Sequence, residues 1–541
     1  MNVLHCIRQH ARRDAQAVAI VRRLSDGSYV ETTFGRLLSE AEAFGQAFAQ
    51  HAAGARIVPI LAAKTATTVA ALLGAAASGH VATCLNPRLR GPQVEQILRA
   101  GGARIGVLDG TGLLALRGPF GDDSPIRATR WWLVRGPGFM AMHEKAAQSF
   151  RESADLADWP VGFEATALPA AGPESPAVCL FTSGSTGLPK GVLIAGQDLL
   201  ERARTEIEWF GLTDHDVLLS VLPFSFDVGL NQLIASLVAG SNLVILDSWM
   251  PADILRAVEE RGITGISAVP SIWLDFLRAG LHFDRAGAHR SLRYITVSGG
   301  DLDRTHLESL PSLGAGLQIF KTYGQTEVFR PACLRPGEFA LRMQSVGRPF
   351  GRSRVYIVRN DGTRAEPGEH GEVVATGLGV MLGYLDGADA QKKLRDNPFR
   401  GPDDPSAKAI YTGDVGHLDD EGYLYLRGRR DAMLKVMGNR VYPNEVAAQL
   451  LAIPGVLQAE VVGVDSIDRG LRLVAFVALG PGAPLHDDLR RQMAARVPGY
   501  MVPAAVARKD AMPRTLSGKT DYPALKAEAA AILGAAAQQS P

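Results

Sequence analysis

The densest chemistry in this chain lies in Phe181-Thr182-Ser183-Gly184-Ser185-Thr186-Gly187-Leu188-Pro189-Lys190-Gly191. Glycines let a backbone approach a bulky anion and expose its N–H groups, while hydroxyls and a lysine add donors and charge. The apolar run Ala177-Val178-Cys179-Leu180 precedes the segment and Val192-Leu193-Ile194 follows it, which predicts strand, loop, strand. A loop of this composition suits the polyphosphate of a nucleotide; the plainer alternative is a solvent loop or flexible hairpin. The segment is not the G-x-x-x-x-G-K-[ST] phosphate loop, because Gly191 follows the lysine where a Ser or Thr is needed for the metal.

Tyr323-Gly324-Gln325-Thr326-Glu327 adds an aromatic face to stack on a base, a hydroxyl for a phosphate oxygen and a carboxylate for Mg²⁺. Further along come Tyr411-Thr412-Gly413-Asp414, Gly428-Arg429-Arg430-Asp431-Ala432-Met433-Leu434-Lys435, and Leu516-Ser517-Gly518-Lys519-Thr520-Asp521. Each segment alone is a weak signal. Together, in this order and over nearly the whole chain, they resemble the adenylate-forming superfamily of acyl-CoA synthetases, luciferases and nonribosomal peptide synthetase adenylation domains.

The resemblance implies a two-step reaction. A carboxylate attacks the α-phosphate of ATP to give an acyl-adenylate and pyrophosphate, and a thiol then takes the acyl group. It implies that Thr182, Ser183, Gly184, Ser185, Thr186 and Lys190 hold the β- and γ-phosphates. Thr326 contacts the α-phosphate and Glu327 ligands Mg²⁺. Tyr323 stacks on adenine, with Ser298, Gly299, Gly300 and Asp301 lining that pocket, and Asp414 binds the ribose hydroxyls, helped by Arg429. Lys519 bridges the substrate carboxylate and the α-phosphate. Asp431 matches a hinge about which the small domain swings, and Lys435 and Gly438 belong to the segment that then approaches the thiol.

The identity of the acid turns on Phe226-Asp227. Where amino-acid-activating relatives carry F-D, the aspartate faces the substrate ammonium. An apolar setting makes Asp227 costly to bury unless a cation pairs with it. The alternative is that Asp227 caps a helix starting near Gly229. Ser298 and Thr322 are expected beside the acyl group. Arg330 stands where peptide-synthetase domains have small hydroxyl or apolar residues. It is placed to meet a second acidic group of the substrate, or Asp227 itself, in which case no ammonium is needed. The expected acceptor is the phosphopantetheine arm of a carrier protein acting in trans, since no carrier segment follows the Lys519 loop; free CoA is the alternative. A binding protein with a decayed site and a luciferase-like oxygenase are the competing classes. Lys519, Glu327 and Asp414 are all present, which argues against the first.

The elements that position these residues alternate. Strands are predicted at Ala17–Val21, Arg104–Leu108, Val217–Leu222, Leu243–Leu246, Gly265–Val269 and Arg293–Val297. Helices are predicted at Phe34–Gln50, Val94–Arg99, Gln197–Phe210, Leu230–Val238 and Pro251–Arg261. Strands separated by helices of that length indicate βαβ units. After Arg427 a compact unit follows, with helices at Asn444–Leu451, Leu485–Ala495 and Leu525–Ala536 and strands at Ala459–Val464 and Leu471–Ala478. The expected class is α/β. A large N-terminal domain of parallel and mixed sheets with flanking helices spans 1–428, and a small mobile C-terminal α+β domain spans 429–541.

Composition sets the bounds. The 541 residues exceed what one hydrophobic core organises. With 57 Lys plus Arg against 56 Asp plus Glu and no long basic run, nucleic acid is not the expected partner. Cys6, Cys84, Cys179 and Cys333 are far apart and lie beside apolar residues, which predicts reduced thiols in a cytoplasmic protein. No signal peptide or membrane span is expected; the apolar Thr67 to Ala77 reads as a buried helix.

Overall fold

The computed structural model describes residues 2–116, 120–136, 139–159, 172–183, 189–286, 291–302, 304–387, 390–430, 434–436, 439–466, 470–480 and 486–538. A nine-stranded sheet is its backbone. From edge to edge it runs Arg348–Pro349, Val328–Leu334, Gln318–Gln325, Tyr294–Ser298, Gly265–Ala268, Val217–Ser220, Asn242–Ile245, Val18–Arg23 and Tyr29–Thr33. The strands from Gln318–Gln325 across to Val18–Arg23 pair in parallel, and the outer ones antiparallel. Parallel strands are covered on both faces, so they read as short continuous apolar runs. Every residue of Gly265–Ala268 and Tyr294–Ser298 is buried.

A second sheet of eight strands includes Val58–Leu61, Ala82–Leu85, Ile105–Leu108, Pro176–Ser183 and Pro189–Ala195. The helices Phe34–His51, Ala66–Ala77, Gly196–Phe210 and Asp227–Ala239 share one core with residues of both sheets. The apolar segment at Thr67 is indeed a buried helix. A third sheet holds Arg354–Val358, Gly371–Thr376, Leu394–Asp396, Lys408–Leu418 and Leu424–Arg429. The C-terminal unit wraps the helices Pro443–Leu451, His486–Arg496 and Tyr522–Gln538 around the strands Val456–Ser466, Gly470–Leu479 and Ala505–Arg508. All four cysteines are buried and unpaired, and burial pushes the Cys84, Cys179 and Cys333 thiols up to about 12. Among the described residues, no helix is long and apolar enough to cross a membrane. The α/β class with a large N-terminal part and a smaller C-terminal one is as expected.

One boundary differs in a way that matters for the site. The helix predicted from Leu230 starts at Asp227, with Phe226 as its N-cap. Its opening turn is hidden from periodicity because a tight bend, Phe226 N–H to Pro223 O at 3.1 Å, sets it. Gly229 is required there: a Cβ would lie 2.4 Å from Pro223 O. Asp227 is therefore the first helical residue and not the cap, although its Oδ1 accepts from Val228 N–H at 2.9 Å.

Candidate functional site

The Gly/Ser/Thr segment joins two antiparallel strands, Pro176–Ser183 and Pro189–Ala195, in which Thr182 stands opposite Lys190 and Ser183 opposite Pro189. Thr182 Oγ1 donates to Lys190 O at 3.5 Å. Gly184, Ser185 and Thr186 lie outside the described residues. Lys190 reaches across to the ring of Tyr384, its Nζ 5.6 Å from the centroid.

A hairpin, Gln318–Gln325 with Val328–Leu334, carries Thr326 and Glu327 at its tip. Glu327 is buried, and its Oε1 accepts from Tyr384 OH and Lys393 Nζ, both at 2.7 Å. Burial pushes this carboxyl up, but the Lys393 charge and the Lys393 and Tyr384 hydrogen bonds outweigh it, leaving it below the ordinary carboxylate range. Lys393 also donates to Gln325 Oε1 at 3.1 Å. Among the described residues no three His, Cys, Asp or Glu side chains gather as a metal cage. Mg²⁺ commonly takes one or two carboxylates and completes its shell with water and phosphate oxygens, so an ionised carboxylate at the hairpin tip fits it.

The base of this hairpin holds Tyr323, whose hydroxyl donates to Asp414 Oδ2 at 2.5 Å. Gln325 Nε2 donates to the same oxygen at 2.8 Å, and Arg429 Nε lies 3.8 Å from Oδ1. Burial raises the Asp414 carboxyl above its ordinary value despite the Tyr323 bond and Arg429. Burial and the Asp414 charge raise the Tyr323 hydroxyl strongly. Sequence reasoning assigned Tyr323 and Asp414 separate duties; the fold couples them directly.

Ser298, on the neighbouring strand Tyr294–Ser298, shares a hydrogen bond of 2.7 Å between hydroxyls with Thr322 opposite it. Asp301 pairs with Lys321 at 2.8 Å. Between them Gly299 turns the chain with φ 77°, where a Cβ would lie 3.0 Å from Phe226 Cζ and 3.2 Å from Lys519 Cε. Lys519 thus projects into the space between Gly299 and Phe226, its Nζ 4.9 Å from the Phe226 ring centroid. Three contacts place its loop on the large domain. Arg514 grips Asp275 with two bonds of 2.9 Å. Ser271 Oγ donates to Gly518 O at 2.7 Å, and Asn86 Nδ2 to Leu516 O at 3.4 Å. Hence residues from three sheets and the C-terminal unit converge on one cleft. Asp431 and Gly438 lie outside the described residues; Lys435 sits on a short strand opposite Arg440.

Arg330 meets neither Asp227 nor open space. It is buried, adopts φ 37°, and pairs with Glu206 at 2.6 Å. The same helix carries Arg202, paired with Asp198 at 2.5 Å. Burial raises the Glu206 carboxyl, Arg330 and Arg202 pull it down, and Asp227 adds repulsion. Among the described residues no cation lies within ion-pair distance of Asp227. Two arginines thus answer two carboxylates, and Asp227 is the third. Glu206, Lys393, Tyr384, Asp275 and Arg514 were not singled out from the sequence. None belongs to a recognisable segment, and each acquires its role through a partner distant in the chain.

The AMP-binding enzyme family matches residues 7–385, and the AMP-binding enzyme C-terminal domain matches residues 445–519. The chain is 32% identical over 346 residues to a 2-succinylbenzoate–CoA ligase of Bacillus licheniformis, covering 63% of this chain and 68% of that protein. It is 29% identical over 507 residues to sulfoacetate–CoA ligase of Cupriavidus necator, covering 92% of each. It is also 31% identical over 358 residues to bacitracin synthase 3 of Bacillus licheniformis, covering 64% of this chain but only 5% of that protein. In fold it resembles o-succinylbenzoate CoA synthetase from Bacillus subtilis in complex with its acyl-adenylate intermediate. That likeness has TM-score 0.76 and 24% identity and covers 96% of this chain and 97% of that one.

Proposed function

The chain belongs to the AMP-binding enzyme family and is an AMP-forming acid–thiol ligase, and on that premise we propose that the acid it activates carries an amino group. The observation that carries this reading is Asp227. It lies at the start of a helix among buried groups, and Arg330, the cation that would have answered it, is bound to Glu206. A substrate ammonium supplies the missing positive charge.

In the first step a carboxylate oxygen of the acid bonds to the α-phosphorus of ATP. The bond to the bridging oxygen breaks and pyrophosphate leaves. Lys519 lies between Phe226 and Gly299 and draws the two anions together there. Thr326, at the hairpin tip, donates to the α-phosphate, and Thr182, Ser183 and Lys190, with Gly184, Ser185 and Thr186, hold the outer phosphates. Asp414, fixed by Tyr323 and Gln325, accepts from the ribose hydroxyls. Glu327 is the residue that would hold Mg²⁺, which supplies positive charge against the phosphates. In the second step a thiol sulfur bonds to the acyl carbon, AMP departs, and the thiol proton passes to solvent. Asp431, Lys435 and Gly438 belong to the segment assigned to this step.

The acceptor assigned from the Phe-Asp pair is a phosphopantetheine arm on a carrier protein in trans. A second reading, free CoA, rests on a cavity of about 320 Å³ beside the Lys519 loop. Its lining sets Arg22, Lys64 and Arg88 against Asp247, which lies 3.5 Å from Arg22 and 3.8 Å from Lys64, and the remaining excess of positive charge suits a phosphate-bearing acceptor.

ATP–pyrophosphate exchange with amino acids beside their desamino analogues, in wild type and Asp227→Ala, tests the proposal. Exchange confined to amino acids and lost in the variant is expected. Equal exchange with desamino acids, unaffected by the variant, refutes it. Thioester formation with CoA against a phosphopantetheinylated carrier then separates the two acceptors.

A further inference from the structure

Lys393 has no place in the nucleotide machinery read from the sequence, yet its ammonium lies 2.7 Å from Glu327 Oε1 and 3.1 Å from Gln325 Oε1. It ends the short helix Ala390–Lys393, and its side chain is 24% exposed, so one end of the contact is open to solvent. Glu327 is only 10% exposed. A carboxylate in that setting is costly without a compensating cation. Lys190 lies over the ring of the same Tyr384 that donates to Glu327, its Nζ 5.6 Å from the centroid. One lysine thus pairs with the carboxylate and a second lies on the tyrosine that donates to it.

We propose that Lys393 is an electrostatic placeholder on Glu327: it pairs with the carboxylate and keeps it aimed before nucleotide arrives, and it moves to the β- and γ-phosphate oxygens once nucleotide is bound. This rests on the reading of Glu327 as the metal ligand. A divalent ion approaching the free protein must displace the ammonium, so Lys393 works against premature metal binding. Phosphate oxygens entering the cleft attract Lys393 away and free the carboxylate at the moment it is needed. A lysine suits the task because its flexible four-carbon stem carries a compact charge between two positions.

The test is a Mn²⁺ titration followed by electron paramagnetic resonance, on the free protein and with an ATP analogue whose α and β phosphates are joined by methylene. Lys393→Met and Lys393→Gln are compared with wild type, Glu327→Gln and the Lys393→Met/Glu327→Gln double variant, each checked for an unchanged circular dichroism spectrum. We expect both Lys393 variants to bind Mn²⁺ about tenfold more tightly when free of nucleotide, from removal of a competing positive charge at contact distance. That gain should vanish in the double variant. With the analogue present the gain should disappear, and Lys393→Met should bind pyrophosphate about tenfold more weakly. If Glu327→Gln weakens Mn²⁺ in the analogue complex but neither Lys393 variant changes Mn²⁺ binding in the free protein, the placeholder role is overturned and the metal reading stands. If Glu327→Gln has no effect on Mn²⁺ in the analogue complex, the metal reading itself fails.

Discussion

In the proposed mechanism Lys519 acts only while its loop is docked on the large domain, and the contact that most clearly docks it is Arg514 with Asp275. The guanidinium makes two bonds of 2.9 Å, and the two side chains are 23% and 28% exposed. Fully exposed pairs contribute about 0.2–1 kcal/mol, whereas breaking a buried pair costs about 3–5 kcal/mol. A two-pronged contact about a quarter exposed falls between these limits, and partial solvent screening puts it near the lower one, at about 1–2 kcal/mol. That corresponds to a roughly 5- to 30-fold shift in the docked population. Arg514→Ala should therefore lower ATP–pyrophosphate exchange by up to that factor. Lys519→Ala removes the charge itself and should lower exchange by about 10²- to 10³-fold. Transfer from a supplied acyl-adenylate to a thiol needs no docked lysine and should be spared in Arg514→Ala. The double variant Arg514→Ala/Asp275→Ala should be no worse than either single one. If the single losses instead multiply, or if both half-reactions fall together in Arg514→Ala, the Arg514–Asp275 pair does not dock the loop.

Three further consequences can be measured. Arg330→Met strands the buried Glu206 carboxylate and should destabilise the protein by about 3–5 kcal/mol in denaturant unfolding, with much of the loss restored by adding Glu206→Leu. Gly299→Ala forces a side chain into φ 77° with its Cβ 3.0 Å from Phe226 and 3.2 Å from the Lys519 stem. A backbone cost of about 1–2 kcal/mol and a clear loss of exchange are expected, and full activity would show that the cleft is looser than drawn. Burial raises Asp414, so it takes up its proton at a higher pH than an ordinary carboxylate as pH falls. Nucleotide affinity should fall on that acid limb. Tyr323→Phe, which removes the 2.5 Å donor to the ionised form, should move the limb to still higher pH in a binding titration.

Local sequence determined a great deal of this protein. Strands buried on both faces must be short apolar runs, and helices between them must repeat their apolar positions near every third or fourth residue. The strands Gly265–Ala268 and Tyr294–Ser298 and the helix Pro251–Arg261 were therefore legible from side-chain type alone. The segments at Thr182, Tyr323, Asp414 and Lys519 were legible for a different reason: each is a contiguous run of residues, and their order along the chain carries the family resemblance. Partnership was not legible. Arg330 was expected to face substrate or Asp227, but the packing of the helix Gly196–Phe210 gives it Glu206. Lys393 meets Glu327 across 66 residues and Arg514 meets Asp275 across 239. The energy of a charge depends on what lies within a few ångströms of it and on how much water is excluded. Neither quantity exists until distant segments share one cavity, so the chain specifies which groups are available and the tertiary packing decides which of them are left for the substrate.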